Sequence, residues 1–143
     1  MKLHSYKNLP NLTVEQQCEQ IFIENYIKDI QNNNIFVHTA QGERVVFKPD
    51  DFKHSFSYRD KDAGTEKFSF QRARRVLWMK KIVIGDVACV RKDIGKEVYF
   101  YYNSKRNYLV FLKKMSRGDL RFVTHYVAKS KKKQYWIGKN ITC

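Results

Sequence analysis

Apolar side chains at Cys18, Ile21, Phe22, Tyr26, Ile27 and Ile30 recur at intervals of three and four, the period that lines one side of an α-helix. That pattern predicts an amphipathic helix over residues 14–30. Thr13 stands at its N-cap, and Gln16, three positions on, completes a capping box in which side chains and backbone N–H groups satisfy each other. The polar run Gln31-Asn32-Asn33-Asn34 ends the helix. Residues 35–39 and 44–47 then flank a Gln41-Gly42 turn and predict a hairpin. Pro49-Asp50-Asp51 closes its second strand, and Phe52-Lys53-His54-Ser55-Phe56 follows at once.

Residues 57–66 are polar, contain Gly64, and predict a loop. Helical spacing returns over residues 68–84, with Phe70, Ala73, Val76, Leu77, Val83 and Ile84 on the expected buried side. The other side of that helix carries Arg72, Arg74, Arg75, Lys80 and Lys81. The last third reads as β: residues 98–102, a turn at 104–106, residues 108–113, a Ser116-Arg117-Gly118 turn, then 120–128. Short sequential strands joined by tight turns make an antiparallel meander. Residues 1–12 form an irregular lead-in closed by Pro10. The whole order predicts an α+β fold, with helices packed on one face of an antiparallel sheet and the other face open to a ligand.

Length and composition sharpen this picture. The 143 residues suit a single domain, and 43% hydrophobic residues with 2 Trp, 9 Tyr and 10 Phe can build a core, which excludes disorder along the whole chain. Lys and Arg number 28 against 14 Asp and Glu, a net charge of +14 that makes polyanions the first suspects as partners. The excess is polarised: residues 104–143 hold 11 basic side chains and one acidic one. Three cysteines, Cys18, Cys89 and Cys143, show neither metal-ligand nor redox spacing. The stretch around residues 21–30 is broken by Glu24, Asn25, Lys28 and Asp29, and no segment approaches the ~20 apolar residues that span a bilayer. A soluble, cytoplasmic protein with reduced thiols is expected, with no membrane partner.

Two kinds of constellation could carry chemistry. The meander interleaves rings and cations (Tyr99, Tyr101, Tyr102, Tyr108, Phe111, Lys113, Arg121, Tyr126), where rings offer stacking platforms to unpaired bases and cations bind the phosphate backbone. Half of these rings could equally fill the core. Lys131-Lys132-Lys133 extends the positive charge, as a phosphate contact or as a solvated tail. Arg72, Arg74 and Arg75 at an expected helix start suit phosphate through charged hydrogen bonds and the helix dipole. Among proton-handling groups, His54 sits after a predicted strand in polar company, and an imidazole titrates near pH ~6.5. In residues 120–126, alternation puts Leu120, Phe122, Thr124 and Tyr126 on one side and Arg121, Val123 and His125 on the other. A slip of one residue would exchange them. No Gly-rich phosphate loop, zinc-protease element, Cys-x-x-Cys pair or nucleophile elbow is present. Acidic residues are sparse in the final third, so any nuclease chemistry is expected to proceed without metal, and no cofactor is implied.

Three stretches together resemble the phage-associated nucleases of the barnase–EndoU–colicin–RelE-like group. Val46-Phe47 followed by Phe52-Lys53-His54 is similar to the family's strand followed by Phe-x-His. Phe70-Gln71-Arg72-Ala73-Arg74-Arg75-Val76-Leu77-Trp78-Met79 is close to its Arg-Ala-x-Arg-apolar-x-Trp-apolar helix, and Leu120-Arg121-Phe122-Val123-Thr124-His125-Tyr126 to its last strand. The resemblance spans residues 35–128 and leaves the basic end, 129–143, uncovered. It implies a barnase- or RelE-like layout and a toxin-like endoribonuclease. The implied substrate is RNA, with tRNA, rRNA and ribosome-bound mRNA all open, and the implied partner an acidic antitoxin or immunity protein. By position it implies His54, Arg74, Thr124 and Tyr126 as functional residues. His125 stands where the family has a small residue, as a bystander or an added proton donor.

Such a site would remove a proton from the ribose 2′-hydroxyl, return one to the leaving 5′-oxygen, and stabilise charge on phosphorus. A non-catalytic single-strand-binding module using the same basic aromatic sheet face is the alternative reading. A third is an interaction protein for acidic partners.

Overall fold

The computed structural model describes residues 1–85, 89–93 and 97–128. It is an α+β protein. By its internal contacts the chain divides into two compact units, one of Met1–Ile35 with Lys48–Trp78, the other of Phe36–Phe47 with Met79–Cys143.

The first unit begins with α1, Val14–Tyr26, which carries the expected capping box: Thr13 Oγ1 accepts from Gln16 N at 3.1 Å, and Gln16 Oε1 from Thr13 N at 2.9 Å. Cys18, Phe22 and Tyr26, four residues apart, are its buried side. The helix stops four residues short of the expected end. Asp29 Oδ1 accepts from the backbone N–H groups of Gln31 and Asn33, and Asn32 takes a positive φ, so the chain turns back and Ile35 N reaches Ile27 O. Ile30 is consequently 90% exposed.

Next comes α2, Asp51–Ser55, then strands β3, Ser57–Asp60, and β4, Thr65–Phe68, paired antiparallel where a loop was expected. This hairpin buries neither face, so it carries no alternation of apolar and polar residues to read. Gly64 makes its turn at φ 66° and Lys67 Nζ meets Asp60 Oδ2 at 2.8 Å. The side-chain bond to Lys67, then the backbone bonds from Ala63 and Asp62, hold the Asp60 carboxyl below its usual pKa.

The single helix expected over 68–84 is two: α3, Phe70–Ala73, and α4, Trp78–Ile84. Between them the turns are three-residue ones, Val76 N to Ala73 O and Trp78 N to Arg75 O. Carbonyls that a continuous helix would use accept from elsewhere: Ala73 O from the Tyr6 hydroxyl, Arg74 O from His4 N, Val76 O from the Tyr26 hydroxyl. Tertiary hydrogen bonds override helical periodicity here. Phe70 and Ile84, expected inside, are 61% and 53% exposed.

The second unit holds a six-stranded sheet. β1, Val37–His38, and β2, Arg44–Val46, form the expected hairpin, with Gly42 at φ 87°. β5, Cys89–Asp93, which the pattern does not announce, pairs antiparallel with β6, Val98–Asn103. β7, Tyr108–Lys114, and β8, Leu120–Val127, complete the expected meander. The order is β1-β2-β8-β7-β6-β5, and β2 lies parallel to β8. The sheet is thus mixed rather than antiparallel throughout, because β2 and β8 are joined through the rest of the chain and not by a turn.

Candidate functional site

One irregularity decides which side chains of the meander stand together. Leu112 pairs with Phe122 and Phe111 with Thr124, so Val123 is an extra residue in β8, a β-bulge. Strict alternation would set Thr124 and Tyr126 on the side opposite Arg121. The bulge reverses that relation. Lys113 faces Arg121, Phe111 faces Thr124, and Leu109 faces Tyr126, and residues 109, 111 and 113 share one side of β7. On β6 the same side carries Val98, Phe100 and Tyr102, opposite Lys113, Phe111 and Leu109. Phe100 and Phe111 meet edge to face at 4.8 Å between ring centres.

This face therefore gathers Lys113, Arg121, Thr124 and Tyr126 over an aromatic floor. Phe100 and Leu109 are buried, Tyr102, Phe111, Thr124, Tyr126 and Arg121 are half-buried, and Lys113 is exposed. Lys113 and Arg121 are direct cross-strand neighbours, where like charges repel. Arg121 Nη1 also leans toward Val46 O at 3.5 Å. The Tyr102 hydroxyl donates to Asn107 Oδ1 at 2.5 Å, and burial pushes its pKa up.

The opposite face belongs to the core, which corrects three expectations. Tyr99 and Tyr101, expected as stacking platforms, are buried there beside Leu112 and Val110. The Tyr101 hydroxyl donates to Gln41 Oε1 at 2.9 Å, and burial chiefly raises its pKa. His125 is fully buried, with Nδ1 hydrogen-bonded to the Tyr108 hydroxyl and its ring near Phe122. It is a core histidine and no solvent-facing proton donor. Beyond the bulge, it takes the inward position that alternation assigned to Thr124.

In the first unit, α2 presents His54. Phe52 and Phe56 are buried and stack at 5.0 Å, each 5.9 Å from Phe22, which leaves Lys53 and His54 facing outward. Asp51 Oδ2 accepts from Lys48 N at 2.7 Å and starts the helix. Arg72 Nη1 donates to Ser55 O and Ser57 O, both at 2.9 Å. That guanidinium holds the α2–β3 junction, so Arg72 positions the segment bearing His54. Arg75 donates to Gln71 O and lies over the Trp78 ring at 5.0 Å. Arg74 is exposed at the C-cap of α3. The helix dipole invoked for these arginines does not apply, since they stand at the end of a four-residue helix. Nor do they share a helix face with Lys80 and Lys81, which lie on α4. Lys80 is half-buried, and desolvation, with Lys81 adding repulsion, lowers its pKa; Lys81 is exposed. Lys131, Lys132 and Lys133 lie outside the described residues.

The register misled on one point that sequence could not supply, the bulge, because Val123 is as apolar as the residues around it. The floor residues Phe111 and Tyr102 were readable as aromatic, but their side was not. Among the described residues no group of three or more His, Cys, Asp or Glu side chains comes together as a metal site, and no helix is long and apolar enough to cross a membrane. No family model, curated protein or solved structure matches this chain.

Proposed function

We propose that this protein is a small endoribonuclease that cleaves RNA by transesterification, leaving a 2′,3′-cyclic phosphate and a 5′-hydroxyl. The observation that carries the reading is the bulge in β8, which brings Arg121, Thr124 and Tyr126 beside Lys113 on one partly open face. A phosphate there meets two cations, a hydroxyl and a phenol. Lys113 and Arg121 stabilise the charge that grows on phosphorus, and Thr124 donates to a non-bridging oxygen. The resemblance, not the placement of the two units, assigns the proton of the 2′-hydroxyl to His54; the 2′-oxygen then attacks phosphorus, and the 5′-oxygen leaves with the proton of Tyr126. Arg74 joins the phosphate ligands, as the resemblance implies. The chemistry needs no metal, because RNA brings its own nucleophile. Work in the cytoplasm, on RNA and under control of an acidic inhibitor protein, belongs to the same reading.

Purified wild type and His54→Ala are incubated with total RNA in EDTA, and the fragment ends analysed. Cleavage by wild type alone, with cyclic phosphate ends, supports the proposal. Equal cleavage by both keeps the enzyme and removes His54 as base. Intact RNA, with and without ribosomes, defeats it.

The half-buried rings of Phe111, Tyr102 and Tyr126 beside Lys113 and Arg121 favour a second reading, a module that binds single strands without cutting them. Its mark is affinity that falls steeply with salt while the RNA stays whole.

A further inference from the structure

The first unit contains a cavity of about 490 Å³, lined by Leu3, His4, Ser5, Val14, Phe70 and Arg74, with Tyr6 also in its wall. That volume falls within the roughly 300–1,000 Å³ typical of small-molecule pockets. Its walls are tied down by hydrogen bonds. The Tyr6 hydroxyl donates to Ala73 O at 2.5 Å, His4 N to Arg74 O at 2.7 Å, and Trp78 Nε1 to Lys2 O at 2.9 Å. Burial, with Cys18 adding to it, raises the Tyr6 pKa, so its phenol stays a neutral donor to Ala73. The His4 ring stands edge-on to Tyr6, 4.7 Å between centres.

The lining chemistry is mixed in a telling way. Arg74 bears a positive charge, His4 offers ring nitrogens, Ser5 offers a hydroxyl, and among the described residues no carboxylate lines the cavity. The Arg74 side chain is exposed, while its carbonyl is already engaged by His4. Phe70 and Leu3 keep 61% and 45% of their surface in water, so the rim is apolar. A ligand that rewards all of these carries a flat apolar ring, an anion within reach of a guanidinium, and polar groups between them.

We propose that this cavity binds a nucleoside monophosphate group, with the base on Phe70 and the phosphate on Arg74. The guanidinium presents a planar fork matched to phosphate oxygens, and a phenyl ring stacks on any base. The volume exceeds what a ring and a phosphate alone need, which leaves room for the ribose near Ser5 and His4. The group is either a free nucleotide or the terminal one of an RNA strand. This inference shares only Arg74 with the nuclease reading and does not require cleavage.

The test titrates the full chain with 5′-AMP, adenosine, inorganic phosphate, phenyl phosphate and a short 5′-phosphorylated single-stranded RNA, followed by NMR and calorimetry. The proposal expects AMP to perturb residues 3–6 and 70–74, and to bind at least about tenfold more tightly than adenosine or phosphate. Phe70→Ala and Arg74→Gln each weaken it by about tenfold; both side chains are exposed, and an unchanged circular dichroism spectrum verifies the fold. Tighter binding of the RNA than of AMP, with the same residues perturbed, assigns the site to strand ends; equal binding assigns it to free nucleotide. AMP binding indifferent to Phe70→Ala, phenyl phosphate matching AMP, or perturbations confined to β7 and β8 each overturn the proposal. RNA cleavage is scored separately, so an inactive protein that still binds AMP leaves this inference standing.

Discussion

Arg72 donates through one guanidinium nitrogen to two carbonyls, Ser55 O and Ser57 O, on either side of the turn that follows His54. Hydrogen bonds from charged groups contribute roughly 1.5–3 kcal/mol each when the acceptor would otherwise go unpaired. Arg72→Ala is therefore expected to destabilise the protein by about 2 kcal/mol, less the share that water recovers at this half-buried site, as read by urea unfolding. If His54 is the base, the same variant also lowers cleavage, whereas Arg75→Ala leaves it near wild type. Tyr108 and His125 pose the complementary case inside the sheet. Tyr108→Phe removes the hydroxyl partner of a fully buried imidazole and is expected to cost about 1–3 kcal/mol, with RNA binding unchanged. A loss of binding at constant stability would return His125 to the site.

At the scale of elements, the bulge is the feature that matters most. Val123 is the additional residue and 39% exposed, whereas its neighbour Phe122 is buried and stacked on Phe47 at 4.7 Å. Val123→Lys should change stability by no more than about 0.5 kcal/mol. Phe122→Ala should cost about 3–5 kcal/mol. Thermal unfolding of Val123→Lys beside His125→Ala tests the register directly: regular alternation gives Val123 and His125 the same side and the same burial, whereas the bulge makes only the second costly. The capping box, the two meander turns and the β1–β2 hairpin were all readable in sequence, since each depends on residues close together along the chain, such as Val37 with Val45 and Lys114 with Leu120. The β3–β4 hairpin and β5 were not. The first buries no face, and helix α1 ran long on paper because Ile27 and Ile30 keep the period after the Asp29 turn has already redirected the backbone.

For the molecule as a whole, charge and buried acids set the response to solution conditions. Burial, with repulsion from Glu15 and Glu19, pushes the Cys18 thiol up to about 12 from an ordinary 9.0, against a smaller lowering by Tyr6. Burial likewise raises Tyr6, Tyr101 and Tyr102. In each case the folded chain holds its proton more tightly than the unfolded one. The stabilisation is complete below the unfolded pKa values and is lost as pH rises through and beyond them. The melting temperature should thus hold steady to about pH 9 and fall above it, and Cys18→Ala should delay the onset of the fall while lowering the plateau. A melting temperature flat to pH 11 would contradict the burial of these groups. The net charge of +14 adds a second dependence: binding of any RNA should weaken steeply with salt.

The α+β class, the capped first helix, and the aromatic and basic character of the last three strands were determined by the sequence alone. All rest on local periodicity, local hydrogen bonding or composition, which tertiary contacts modify little. Whether Tyr99, Tyr101 and His125 face a ligand or the core, and whether Arg121 stands with Tyr126, was decided only by the tertiary structure. One extra residue in a strand turns every later side chain to the other face, and whether it is accommodated depends on a partner strand far away in sequence. The same holds for the broken helix at residues 74–77, whose carbonyls are claimed by Tyr6, His4 and Tyr26. Those partners lie about fifty to seventy positions away, and no window along the chain contains both sides of the bond.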